Sequence, residues 1–136
     1  RSTPWWEGHV CPLIDARMNE VYGALYEFKE GVRTKLVEDE VGPVQRFVAW
    51  VMDGGKAGPV TFLGDGALRY AEIIRSMVPH AFVVPESHCL PRASCVALEA
   101  RELLARGAET DASKVSPVYI RKSQPEEAKT RSNGEN

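Results

Sequence analysis

Two hydrophobic rhythms divide the chain. Between Glu20 and Phe28 the period is two: Tyr22, Ala24, Tyr26 and Phe28 fall on one face, Val21, Gly23 and Leu25 on the other. Aromatic and β-branched residues suit such a pleated surface. Val10 to Ile14, just before, is a short apolar run with the composition of a buried strand, and the polar ARMNE stretch between them reads as a turn. Lys29-Glu30-Gly31 makes a second tight turn. Val32 to Val41 follows as a third strand, more polar and therefore nearer a sheet edge. Three strands joined by short turns predict an antiparallel meander.

After Gly42-Pro43 the period lengthens. Val44, Phe47, Val48 and Val51 recur at helical spacing, with Pro43 expected in the first turn and Gly54-Gly55 at the end. Val60 to Leu63 is a short apolar strand, and Gly64-Asp65-Gly66 turns the chain. Asp65 is placed to N-cap a helix whose stripe is Leu68, Ala71, Ile74 and Val78 and which Pro79 stops. Ala81 to Val84 reads as another buried strand. The proline-bounded loop PESHCLPRAS leads into a helix from about Ser94 to Arg106, ended by Gly107. Further on, Val118-Tyr119-Ile120-Arg121 has the pattern of one more ordered element.

The resulting order, β-β-β-α-β-α-β-α, predicts an α/β domain with a five-stranded mixed sheet flanked by helices. It is the order of the ribonuclease H-like unit, the building block of the actin and sugar-kinase superfamily. Expected boundaries are a linker over 1–9, a single lobe over 10–123, and a charged, disordered tail over 124–136. No internal repeat is visible.

Composition narrows the function classes. The 136 residues are 43% hydrophobic and 26% charged, which suits one globular domain. A net charge of -2 gives no global attraction to nucleic acid or to anionic membranes. No apolar run approaches the ~18–20 residues of a membrane span, and RSTPWWEGHV has no apolar core of a signal peptide. Cys11, Cys89 and Cys95 show no CxxC spacing and read as free thiols in a reducing cytoplasm. The chain opens without Met on a polar segment carrying Trp5 and Trp6, which suits a domain of a longer protein and calls for a surface that these rings cover.

Asp15 and Asp65 are the most suggestive chemical pair. In a ribonuclease H-like sheet the ends of the first and fourth strands are neighbours, so both carboxylates would stand at one edge. Two-metal nucleases and phosphotransferases need such carboxylates to hold two divalent ions about 3.5–4 Å apart. They also need further acids. The first helix offers Gln45 and Arg46, with Asp53 only at its far end, and Arg17 would neutralise the site. The residues therefore favour a salt-bridged strand end, Asp15 with Arg17, and a capping Asp65; the metal-dependent enzyme is the alternative. Gly64, Asp65 and Gly66 open a helix after a strand, where backbone N–H groups can cradle a phosphate. The turn lacks the remaining glycine of a dinucleotide fingerprint and the Lys-Ser/Thr of a P-loop, so it is a weak cofactor candidate.

His9, His80 and His88 have no metal-ligand spacing. His88, Cys89 and Cys95 make at most an awkward three-ligand set, and neighbours such as His88 and Cys89 rarely form a nucleophile pair. No metal or cofactor is expected. Trp5, Trp6, Trp50, Tyr22 and Tyr26 would suit a nucleic-acid platform, but without interleaved basic residues they read as core or interface.

Three motifs carry a family resemblance: IDARMNEVYGALYE, FLGDGALRY at the strand–helix junction, and SPVYIRKS after the last helix. Together they resemble the TsaB (YeaZ) family of bacterial tRNA threonylcarbamoyladenosine biosynthesis. Its first motif, IDARMGEVY, is matched by Ile14 to Tyr22, with Asn19 in place of Gly; Asp15, Arg17, Glu20 and Tyr22 are its polar and aromatic members. Its closing P-x-Y-x-R is matched by Pro117, Tyr119 and Arg121. The segment like LALDTS that opens the family's first lobe is missing, so the resemblance is to the C-terminal lobe.

The resemblance implies a non-catalytic scaffold in the cytoplasm, supporting a TsaD-like catalytic subunit that works with a TsaE-like ATPase on adenosine 37 of tRNA. It implies contact with tRNA only through those partners, no membrane, and no peptidase chemistry, and it leaves a homodimer open. It also implies that Asp15, Arg17, Glu20, Tyr22, Pro117, Tyr119 and Arg121 are structural or interface residues. Tyr119 and Arg121 are expected to anchor the tail, on this domain or on another lobe.

Overall fold

The computed structural model describes residues 7–53, 59–108, 110–114 and 116–120. Five strands form one mixed sheet: β1 (Gly8–Arg17), β2 (Glu20–Lys29), β3 (Val32–Pro43), β4 (Val60–Leu63) and β5 (Ala81–Val83). Helix α1 (Val44–Asp53) follows β3, α2 (Asp65–Arg69) and α3 (Ala71–Met77) follow β4, and α4 (Glu86–Cys89) and α5 (Ala93–Ala105) follow β5. The order across the sheet is β3-β2-β1-β4-β5, antiparallel through the meander and parallel from β1 to β4 to β5. This is the ribonuclease H-like arrangement, and β3 does lie at an edge.

The core occupies one face of the sheet. Cys11 and Leu13 of β1, Val21 and Leu25 of β2, and Val60 and Phe62 of β4 meet Val44, Phe47 and Val48 of α1 and Ile74 of α3. The period-two reading of β2 holds for most of the strand, since Val21, Gly23 and Leu25 are buried while Tyr22, Tyr26 and Phe28 are half-buried, but Ala24, read with the second set, is buried as well. Phe47 meets Trp50 edge-on at 4.6 Å between centroids, which seats Trp50 against the core. Cys11, Cys89 and Cys95 are free thiols. Burial pushes the Cys11 thiol up to about 12, so it stays protonated and unreactive at neutral pH.

Several boundaries differ from the sequence reading, each for a local reason. β1 begins at Gly8 and so takes in the last two residues assigned to a linker, because His9 continues the buried alternation of Cys11 and Leu13. Pro12 lies inside this central strand; recorded pairing with β2 stops after Val10↔Tyr26 and resumes at Leu13↔Gly23, around the residue that has no N–H to give. Pro43 closes β3 rather than standing in the first turn of α1. The helix after β4 is two pieces, broken at Tyr70, instead of one continuous stripe. The PESHCLPRAS loop contains the single turn α4. Gly107, at φ 84°, does end the last helix. Gly54-Gly55, Trp5, Trp6, Arg121 and the 124–136 tail lie outside the described residues. Val118, Tyr119 and Ile120 belong to no regular element.

The β1–β2 turn is strained. Arg17, Met18 and Asn19 all have positive φ, and the two-residue loop Met18-Asn19 has the sign pattern of a type I′ turn, which favours Asn-Gly. Asn tolerates this conformation; Arg17 and Met18 are each held in it at a cost of about 1 kcal/mol.

Candidate functional site

The C-terminal ends of β1 and β4 lie side by side, which brings Asp15 and Asp65 together as the strand order requires. Gly64 leaves β4 at φ 102°, and a Cβ there would lie 2.2 Å from the Leu13 carbonyl oxygen. A Cβ on Gly66 would come within 3.0 Å of the β1 backbone at Leu13, Ile14 and Asp15. The two glycines thus let α2 press directly on the central strand. On the side where their β-carbons would stand, both glycines are closed off by the backbone of β1.

The carboxylates are engaged within the chain. Asp65 Oδ1 accepts the Asp15 N–H at 3.1 Å and the Gly66 N–H at 2.9 Å. Asp15 Oδ1 accepts the Arg17 N–H at 3.0 Å, and Asp15 Oδ2 accepts from Arg69 Nη1 at 2.9 Å. Two expectations are corrected here. The ion-pair partner of Asp15 is Arg69, not Arg17, whose backbone supplies the contact because the chain turns left-handed at that residue. Asp65 is the first residue of α2, with Gly64 at the cap position and no side-chain cap bond; its carboxylate ties the helix to the strand end.

Arg69 is the residue that the sequence reading missed. Its signal was its place one helical turn after Asp65, on the side that faces back to the strand ends. The Asp15–Arg69 pair is largely exposed at Arg69 (56%) and less so at Asp15 (18%), so it contributes well under ~1 kcal/mol. Asp65→Ala leaves two backbone donors without their acceptor and should lower unfolding stability by about 1–2 kcal/mol. Arg69→Ala should cost less than half of that. Urea denaturation of the two variants checks the ranking.

Among the described residues no group of three or more His, Cys, Asp or Glu side chains is arranged to hold a metal. His88 Nδ1 pairs with Ser87 Oγ at 2.8 Å, and Cys89 Sγ donates to the Val84 carbonyl at 3.2 Å, so their contacts run apart. Glu20 stands opposite Arg17 in the backbone register of the hairpin, and Tyr22 stands opposite Ile14 on the sheet face away from the core. Pro117 is exposed, and Tyr119 is 84% exposed, so Tyr119 is not anchored on this lobe.

Folding does bring basic residues to an aromatic, which the linear sequence hid. Arg33 and Lys35 of β3 each lie 5.8 Å from the centre of the Tyr26 ring. Both are tied to carboxylates, Arg33 to Glu99 and Lys35 to Glu38 and Asp39. Those hydrogen bonds hold the Lys35 ammonium charged well above its ordinary range. The patch is locally neutralised, which does not suit a phosphate backbone.

No protein-family model matches the chain. It is 27% identical over 125 residues to the tRNA threonylcarbamoyladenosine biosynthesis protein TsaB of Bacillus subtilis (strain 168), a match covering 89% of this chain and 51% of that protein. It superposes with a TM-score of 0.62 and 28% identity on the crystal structure of an uncharacterized Pseudomonas aeruginosa protein similar to peptidase YeaZ, over 85% of this chain and 50% of the other. YeaZ from Pseudomonas aeruginosa gives 0.59 and 28%, over 83% and 50%. The chain spans about half the length of the relatives it matches. In sequence and in fold, this chain is thus similar to TsaB and YeaZ proteins over about half of their length.

Proposed function

We propose that this chain acts in tRNA threonylcarbamoyladenosine biosynthesis as a non-catalytic, cytoplasmic scaffold lobe that supports a TsaD-like catalytic subunit and, through it, a TsaE-like ATPase. The observation that carries the reading is the IDAR-x-x-E-V-Y hairpin, placed in a lobe that superposes on the YeaZ structures over more than four-fifths of this chain. A non-catalytic role is supported by the strand-end carboxylates: both oxygens of Asp15 bond within the chain, to the Arg17 N–H and to Arg69, and Asp65 Oδ1 accepts backbone N–H groups of β1 and α2. Pro117, Tyr119 and Arg121 fit contacts beyond this lobe, since Pro117 and Tyr119 face solvent here. No helix among the described residues is long and apolar enough to cross a membrane.

The test is a chimera in which residues 7–123, which keep β1 whole from Gly8, replace the matching half of the Bacillus subtilis protein, expressed in cells depleted of the native one. Threonylcarbamoyladenosine in total tRNA, measured by mass spectrometry, should be restored. A soluble, folded chimera that leaves the nucleoside absent would overturn the reading. The adjacency of Asp15 and Asp65 keeps one rival, a metal-dependent nuclease or phosphotransferase. Calorimetric titration of the chain with Mg²⁺ or Mn²⁺ should show no saturable binding; Mg²⁺-dependent turnover abolished by Asp15→Asn would establish the rival.

A further inference from the structure

Helices α1 and α5 are attached to the sheet in opposite ways. α1 sinks Val44, Phe47 and Val48 completely. In α5 no residue is buried. Its half-buried positions are Cys95, Glu99 and Glu102, while Val96, Leu103 and Leu104 face solvent. The helix thus turns two acidic side chains toward the body and leaves much of its apolar surface outside.

What meets those acids is Arg33 of the edge strand β3. Its guanidinium grips the Glu99 carboxylate with two bonds, Nη2 to Oε1 at 2.6 Å and Nη1 to Oε2 at 3.2 Å. Glu102 adds a weaker attraction to the same guanidinium. The pairing holds Arg33 above and Glu99 below their ordinary ranges, so each stabilises the charge of the other. Beside the pair runs a groove of about 410 Å³, lined by Arg33, Cys95, Val96, Glu99, Ala100 and Leu103. Side chains along it therefore have open space on one side where a packed helix would have contacts.

We propose that α5 is a strap held on the sheet by charge rather than by burial, and that it lifts as a unit while the rest of the lobe stays folded. Lifting a helix with no buried side chain forfeits little hydrophobic free energy, whereas lifting α1 would expose three fully buried ones. Ionic strength sets how often α5 opens, because an exposed ion pair weakens as the screening length shrinks. The open state leaves the Arg33 guanidinium free to meet another anion beside Tyr26. This behaviour is independent of the proposed role in tRNA modification.

Hydrogen exchange followed by mass spectrometry on the full chain tests the proposal, at about 0.02 M and about 0.5 M salt. Amides of α5 should exchange far faster than those of α1, and about two- to fivefold faster again at high salt, the range an exposed pair can carry. Glu99→Gln at low salt should reproduce the high-salt rate of α5 and lose most of its salt response, with α1 unchanged. Three results would each overturn it: α5 as protected as α1, α5 indifferent to salt, or Glu99→Gln matching the wild-type rate. A variant that speeds α1 and α5 equally would also overturn it, since the helix would then open only with the whole lobe.

Discussion

Gly64→Ala should destabilise the lobe by about 3–5 kcal/mol, a large share of the total stability of a domain this size. Two penalties combine. The residue sits at φ 102°, where a β-carbon is strained, and that carbon would lie 2.2 Å from the Leu13 carbonyl oxygen. The obstacle is the backbone of the central strand, which cannot move aside without parting α2 from the sheet. Gly31→Ala is the control. That turn also has positive φ, at 75°, but no atom lies within 4 Å of the added carbon, so only the conformational penalty of about 1 kcal/mol applies. Urea unfolding midpoints should separate the two variants widely. Equal losses would mean that turn conformation alone, and not close approach to β1, explains the glycine.

Phe47→Ala should cost a comparable amount, about 3–5 kcal/mol, because a fully buried ring leaves a cavity that its neighbours only partly fill. Gly23 lies directly beneath that ring. A Cβ on Gly23 would sit 2.7 Å from both Phe47 Cε1 and Leu13 Cδ2, so Gly23→Ala overpacks the same space. The two changes should therefore offset each other in part. The double variant is expected to lose at least ~1 kcal/mol less than the sum of the single losses. Additive losses in a denaturation cycle would show that methyl and ring do not compete for one volume.

Much of the fold was legible because its periodicities are clean. The alternation of β2, the helical spacing of Val44, Phe47 and Val48, and the glycines at 31 and 107 each stand where the structure uses them. What escaped notice depends on tertiary contact. His9 looked like linker because its burial comes from the sheet around it. The break at Tyr70 leaves the apolar spacing on either side intact, so periodicity carried straight through it. The candidate site was legible as a place and not as a set of partners. Strand order alone brought Asp15 to Asp65, but the choice of Arg69 over Arg17 follows from a left-handed backbone at Arg17, a residue type that gives no warning of it. Likewise the cations at Tyr26 arrive from the next strand, which a search along the chain for basic neighbours does not reach.

The central place of β1 bears on the order in which the sheet assembles. Its pairing with β2 closes only the Met18-Asn19 loop, whereas its pairing with β4 must enclose all of β2, β3 and α1. The entropy of closing a loop rises with its length, and parallel pairing is correspondingly slow. The meander is thus the part that forms early, on a turn with unfavourable left-handed residues. Until β4 arrives, the second edge of β1 is bare, with Cys11 and Leu13 exposed beside it. A chain emerging from the ribosome passes through that half-built sheet, and there, rather than in the finished lobe, it is most open to pairing with the wrong strand.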